Sequence, residues 1–116
     1  MEQENAYKLL IESLKLLALS YEEQKKNLPE FTDVPEDVVS SFENSFLLLP
    51  KLVEKGMFSN YSLASLLRVY NLMQWCIRNV DLNDFSNEEW DKVRNLSRET
   101  LKLIGEPIEK PDIDYV

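Results

Sequence analysis

Apolar residues recur at steps of three and four along most of this chain, and that repeat limits what it can fold into. A step of three or four returns a side chain to the same face of an α-helix, whereas strands with one wet face alternate every second residue. The breakers agree. Two glycines and five prolines in 116 residues are too few for the many tight turns of a β-sandwich or barrel. The expected fold is all-α: a single-domain four-helix bundle with helices at about 5–27, 34–55, 60–79 and 87–104. The bundle should occupy residues 1–105, followed by an acidic, extended tail over 106–116.

Each helix has its own signals. In the first, Tyr7, Leu10, Ile11, Leu14, Leu17, Ala18 and Tyr21 share a stripe, while Lys8, Glu12, Lys15, Glu22, Glu23 and Lys26 fall opposite. Glu2 and Glu4 at its start and Lys25 and Lys26 at its end suit the helix dipole. The second has Asp33 and Glu36 at capping-box spacing, then Val38, Val39, Phe42, Phe46, Leu49 and Val53. Pro50 interrupts that pattern, because it has no N–H to give to the Phe46 carbonyl, and a kink or break is expected there. The third carries apolar residues around well over half its circumference, from Leu63 to Ile77, and should be the most buried of the four. The fourth opens with Ser86-Asn87-Glu88-Glu89, an S-x-x-E capping box, and closes at Gly105 and Pro107. The tail should be either loose or laid across the bundle.

The residues present exclude much chemistry. There is no histidine, so Ser–His and Cys–His nucleophiles are ruled out. One cysteine and no histidine also rule out zinc fingers, and two distant glycines cannot build a phosphate loop. The acidic stretch 81–89 invites a calcium-loop reading but lacks the sixth-position glycine and the twelfth-position glutamate, which are Ser86 and Lys92 here. Cys76 lies among Met73 and Ile77 and reads as a small core hydrophobe. No metal, cofactor or catalytic residue is expected. No apolar run approaches the ~20 residues of a membrane span, and the first residues lack a signal-peptide pattern, so a cytoplasmic protein is expected.

Charge points to a class of partner. Twenty-one acids against 13 bases give a net charge of −8, which repels nucleic acid and anionic lipid and attracts a basic protein. Residues 27–50 contain no Lys or Arg but carry Glu30, Asp33, Glu36, Asp37 and Glu43. Residues 81–91 likewise carry Asp81, Asp84, Glu88, Glu89 and Asp91. Acids stabilise helix starts, which explains part of this placement, and solubility alone is the other plain account. In an antiparallel bundle, however, the second and fourth helices start at the same end. Glu30, Asp33, Glu36, Asp37, Asp84, Glu88 and Asp91 would then form an acidic face.

A second candidate is Trp75, which falls on the narrow polar strip of the third helix with Ala64, Arg68, Asn71 and Arg78. Either the tail or a neighbouring helix covers its ring, or it is an aromatic anchor flanked by arginines, the residue types enriched in binding hot spots. Leu9, Leu16, Leu19, Leu47 and Leu48 lie off the main stripes and mark a possible homodimer contact or further internal cover.

Phe31-Thr32-Asp33-Val34-Pro35-Glu36-Asp37-Val38, a long helical middle, and Trp90-Asp91-Lys92-Val93-Arg94-Asn95-Leu96 closing on Ile104-Gly105 resemble small acidic all-helical proteins. These are bacterial immunity proteins, which neutralise toxins secreted against neighbouring cells. The resemblance spans about residues 31–105 and implies a non-enzymatic inhibitor or adaptor bound to a protein partner. It carries over no binding residue. The alternative reading is a self-associating structural or regulatory helical module.

Overall fold

A computed structural model of the chain describes residues 3–116, so Glu2 lies outside the described residues. It contains six α-helices, a short 3₁₀ turn and, among the described residues, no strand. The helices are α1 (Gln3–Ala18), α2 (Tyr21–Asn27), α3 (Val34–Phe46), α4 (Leu49–Glu54), α5 (Asn60–Asn79) and α6 (Glu88–Ile104), with the 3₁₀ turn at Ile113–Tyr115. The all-α expectation holds, but the first two of the four expected helices are each broken in two.

Local chemistry explains both breaks. The Ser20 side chain accepts the Glu23 N–H at 3.2 Å, which caps α2 and stops α1 two residues earlier. Ser20 and Glu23 have the same S-x-x-E spacing that marks other helix starts, so this break carried a sequence signal. Gln24 then turns its amide back and donates to the carbonyls of Leu16 and Leu17 at the end of α1, where the Leu16 carbonyl also accepts the Leu19 N–H at 3.2 Å. The second break falls at Leu47 and Leu48, just before Pro50, which occupies the first turn of α4, where its missing N–H costs nothing.

The other ends follow the expected capping with one exception. Asp33 caps α3 by accepting the Glu36 N–H at 3.3 Å, and Ser59 caps α5 by accepting the Ser62 N–H at 3.1 Å. The start of α6 is capped by Asn87 instead of Ser86, with Asn87 Oδ1 accepting the Glu89 N–H at 2.9 Å. Gly105, at φ +92°, ends α6 in the left-handed region, where a side chain would be strained.

Helix directions follow from a few long-range contacts. Ser13 of α1 hydrogen-bonds Ser45 near the end of α3 at 2.6 Å, and Leu16 borders a hollow with Asp37 and Ser40 nearer its start. Hence α3 runs antiparallel to α1. Arg94, early in α6, reaches Gln24 beyond the end of α1, while Glu106, just past α6, meets Tyr7 near the start of α1. Hence α6 is antiparallel to α1 too. Ser65 to Thr100 and Cys76 to Glu89 set α5 antiparallel to α6. The starts of α3 and α6 therefore share the end of the molecule where α1 finishes.

The core corrects one expectation. The most enclosed helix is α1, not α5: every residue from 10 to 18 is buried. It is surrounded by α3, α4, α6 and the tail, whereas α5 packs mainly on α6. The stripe residues Leu10, Leu14 and Leu17 meet Val38, Phe42, Leu66, Val69, Met73, Trp90, Val93 and Leu101 in one continuous core. At roughly 25 cal/mol per Å² of apolar surface removed from water, burial of this set is the dominant favourable contribution to the fold.

Candidate functional site

The acidic residues singled out from the sequence gather at the shared end, all of them exposed: Glu30, Asp33, Glu36, Asp37, Asp84, Glu88 and Asp91. Several have structural tasks. Asp33 is the α3 cap, and Glu36, Asp37, Glu88 and Asp91 stand in first helical turns. Asp84 Oδ2 accepts from Asn87 Nδ2 at 3.0 Å, which holds the turn before α6. Asp91 pairs with Arg94 at 2.9 Å. Among the described residues no Lys or Arg pairs with Glu30, Asp33, Glu36, Asp37, Asp84 or Glu88. Their charge therefore faces water.

The face is divided. α2 packs on α3, while its Tyr21 ring meets Phe85 edge-on at 5.7 Å and its Gln24 meets Arg94. It thus lies between the starts of α3 and α6 and carries the exposed Lys25 and Lys26. Lys25 is partly neutralised by Glu22 at 3.0 Å and rests 4.6 Å from the centre of the Tyr21 ring. Two acid-rich patches flank a mixed-charge helix.

Behind them lies a buried cation that the sequence reading missed. Arg94 is fully enclosed, stacked 4.7 Å from the Phe85 ring centre and 5.7 Å from that of Tyr21. Its guanidinium donates to the Phe85 carbonyl at 2.7 Å, to Asp91 at 2.9 Å and, at 3.4 Å, to Gln24 Oε1. Burial pushes its pKa down, opposed by Asp91, yet an Arg stays charged. With Trp90, whose indole N–H donates to the Asp81 carbonyl at 3.2 Å, it pins the 81–87 loop to the body. Asp81 accepts that bond from a left-handed backbone at φ +90°. Position was the available clue: Arg94 stands four residues after Trp90 and three before Ser97, at the edge of the buried stripe.

Trp75 is 42 % exposed. It borders a shallow groove of ≈ 700 Å³ between α5 and α6, with Arg68, Asn71, Leu72, Lys92 and Leu96. The tail does not cover it, because the tail lies on α1. Cys76, one residue on, is buried; desolvation first, and then Glu89, pushes its thiol pKa up, which makes it a poor nucleophile. Of the off-stripe leucines, Leu16 is fully buried and Leu9, Leu19 and Leu48 are partly buried, so they serve mainly as internal cover. Leu47 alone stands out, at 77 % exposed, beside an apolar hollow of ≈ 600 Å³ between α4 and α5.

The tail is ordered against α1. Tyr7 Oη donates to Glu106 at 3.0 Å, Lys15 Nζ reaches Glu109 at 3.0 Å, the Asp112 N–H donates to Glu12 Oε1 at 2.7 Å, and Lys8 lies 5.2 Å from the centre of the Tyr115 ring. Glu12 and Lys15, expected on the wet face, are consequently more than nine-tenths buried and pair with each other at 3.1 Å. Among the described residues no His, Cys, Asp and Glu side chains group as metal ligands, and no helix is long and apolar enough to cross a membrane. No protein-family model, characterised protein or solved structure matches the chain.

Proposed function

We infer that the domain is a non-enzymatic protein-binding module that covers a basic surface on a protein partner, in the manner of the immunity proteins its residues resemble. One observation carries this reading: α3 and α6 start at the same end, and of the seven exposed carboxylates named there only Asp91 forms an ion pair. An unpaired acidic surface accelerates encounter with a basic one and costs little desolvation until contact. A nuclease toxin fits the chemistry, because it must be basic to hold nucleic acid. The domain sits in the cytoplasm in this reading, where it meets the toxin before damage is done.

The test is affinity capture with the wild-type chain at low salt, followed by association kinetics with the captured protein. Glu36→Gln, Asp37→Asn and Glu88→Gln together should slow association at least tenfold and leave dissociation nearly unchanged. The association rate should also fall steeply with salt, since exposed charges are screened beyond about 8–10 Å at moderate ionic strength. A partner indifferent to both salt and the three substitutions would sink the acidic-end reading and redirect it to the Trp75 groove. Self-association is the second reading, supported by Leu47 and the apolar α4–α5 hollow. A molecular mass in solution that stays monomeric at high concentration removes it.

A further inference from the structure

Phe31 is the most exposed of the large apolar side chains described, at 96 %. Single exposed apolar residues are ordinary on a protein surface, so exposure alone says little. Its position says more. Phe31 stands inside the acidic end, directly after Glu30 and two residues before Asp33, with Glu36 and Asp37 in the helical turn that follows. From residue 27 to residue 50 the chain carries five acids and no Lys or Arg. The ring is the apolar centre of an otherwise anionic segment.

The backbone holds it out. Leu28, at φ −103° and ψ 152°, is in the extended conformation that a following proline favours, and α2 ends there. The Thr32 N–H then donates to the Pro29 carbonyl at 3.0 Å and closes a β-turn. Glu30 and Phe31 are the two central residues of that turn, and both are exposed. Three residues to either side of Phe31, Leu28 and Val34 pack against the core. The feet of the turn are thus anchored while its tip stays in water. The hydrophobic contribution of a buried Phe goes unused in the isolated chain and is available to a partner. Pro29, the turn hydrogen bond and the Asp33 cap of α3 already fix the backbone, so a partner that encloses the ring loses little to ordering it.

We propose that Phe31 is the anchor of the acidic end: its ring enters an apolar pocket on a basic protein partner, and Lys or Arg side chains around that pocket face Glu30, Asp33, Glu36 and Asp37. The proposal rests on the acidic-end reading above and adds the residue that fixes the partner in place. Rim charges speed encounter and set orientation, whereas an aromatic enclosed at the centre of a contact governs how long the contact lasts.

The probe is the protein that the immobilised wild-type chain retains from a cell lysate at low salt, purified and measured against soluble variants of the full chain. Phe31→Ala should raise its dissociation rate at least tenfold and change its association rate less than twofold. Phe31→Leu, which keeps an apolar side chain, should fall between the two. Glu36→Gln, Asp37→Asn and Glu88→Gln together should do the reverse, slowing association and leaving dissociation nearly unchanged. Anchor and rim fail separately. Dissociation that is indifferent to Phe31→Ala overturns the anchor alone, wherever the triple variant still slows association. Association that is indifferent to the triple variant and to salt overturns the acidic end and the basic rim of the pocket with it, as does a wild-type chain that retains no protein. A measurement on the isolated chain excludes a loss of fold as the cause. Phe31→Ala should leave its thermal unfolding midpoint and helical spectrum unchanged, because the ring is in water; a lowered midpoint would show that the ring packs on its own chain and would overturn the proposal.

Discussion

α1 and α5 carry similar loads of apolar residues and meet opposite fates. By its own sequence α5 is the helix to bury, with leucines, Tyr70, Met73 and Ile77 on most of its circumference, yet Leu67 remains 43 % exposed and Tyr61 more so. α1 has a clear polar side, yet residues 10–18 are all enclosed, Glu12 and Lys15 included. The difference lies in what covers each helix. α1 is packed by α3, α4, α6 and the tail, while α5 lies against α6 with its far side open between α4 and the Trp75 groove. Helix amphipathicity states which face would be stable if buried. It does not state how many neighbours arrive, and charged side chains can be enclosed when a partner arrives with the complementary charge.

The largest expected effect concerns the two tryptophans flanking that contrast. Trp90 sits on α6, the helix that both α1 and α5 pack against, and is buried, whereas Trp75 is partly exposed on α5. Trp90→Ala should destabilise the fold by about 3–5 kcal/mol, and Trp75→Ala by less than about 1 kcal/mol, measured by denaturant unfolding. Similar losses for the two would mean that the outer side of α5 is covered after all.

A matched leucine pair sharpens the comparison within the two helices themselves. Leu14→Ala in α1 should cost about 2–5 kcal/mol, and Leu67→Ala in α5 less than about 1 kcal/mol. The ordering, more than either value, is what the enclosure of α1 requires; a reversed order contradicts it.

Arg94 tests whether a buried cation near the α1 end is structural. Arg94→Met preserves the stacking volume but leaves the Phe85 carbonyl and Gln24 Oε1 without their donor, for a loss of about 1–3 kcal/mol. Asp91 is exposed and stays solvated, so it adds little. A neutral or stabilising Arg94→Met would show that the guanidinium is retained for something other than the fold.

The smallest effect is the pH dependence of the tail's hold on α1. Burial, then the hydrogen bond and charge of Glu106, push the Tyr7 phenol from 10.0 up to about 12. Burial acts to lower the Lys15 pKa, but Glu109 and Glu12 outweigh it and the net shift is upward from 10.5. Both groups therefore hold their protons more tightly folded than unfolded. Their contribution is complete below about pH 10 and is lost as pH rises from there toward 12. Thermal unfolding over that window should show the wild type losing more stability than Tyr7→Phe; identical losses would place the tail off α1.

Much of this molecule was legible residue by residue. The helical class, the third helix at Asn60–Asn79, the Asp33 cap, the stop at Gly105 and the break near Pro50 all follow from interactions within a few residues, which a linear reading contains. So does the break at Ser20, whose spacing to Glu23 is the same capping signal found elsewhere in the chain. The acid-rich helix starts were equally visible, and antiparallel packing of α3 and α6 on α1 brings them to one end. That α2 would lie between them with Lys25 and Lys26 was not visible, because it depends on where a seven-residue helix docks after a break. Arg94 and Lys15 each have a charge partner three residues away, Asp91 and Glu12, but their enclosure also brings in Gln24, 70 residues away, and Glu109, 94 residues away. The sequence can place a complementary charge one helical turn away, but whether the pair is wet or enclosed is decided by the packing and the further polar partners that only the tertiary fold brings into reach, since enclosure without enough partners would cost several kcal/mol.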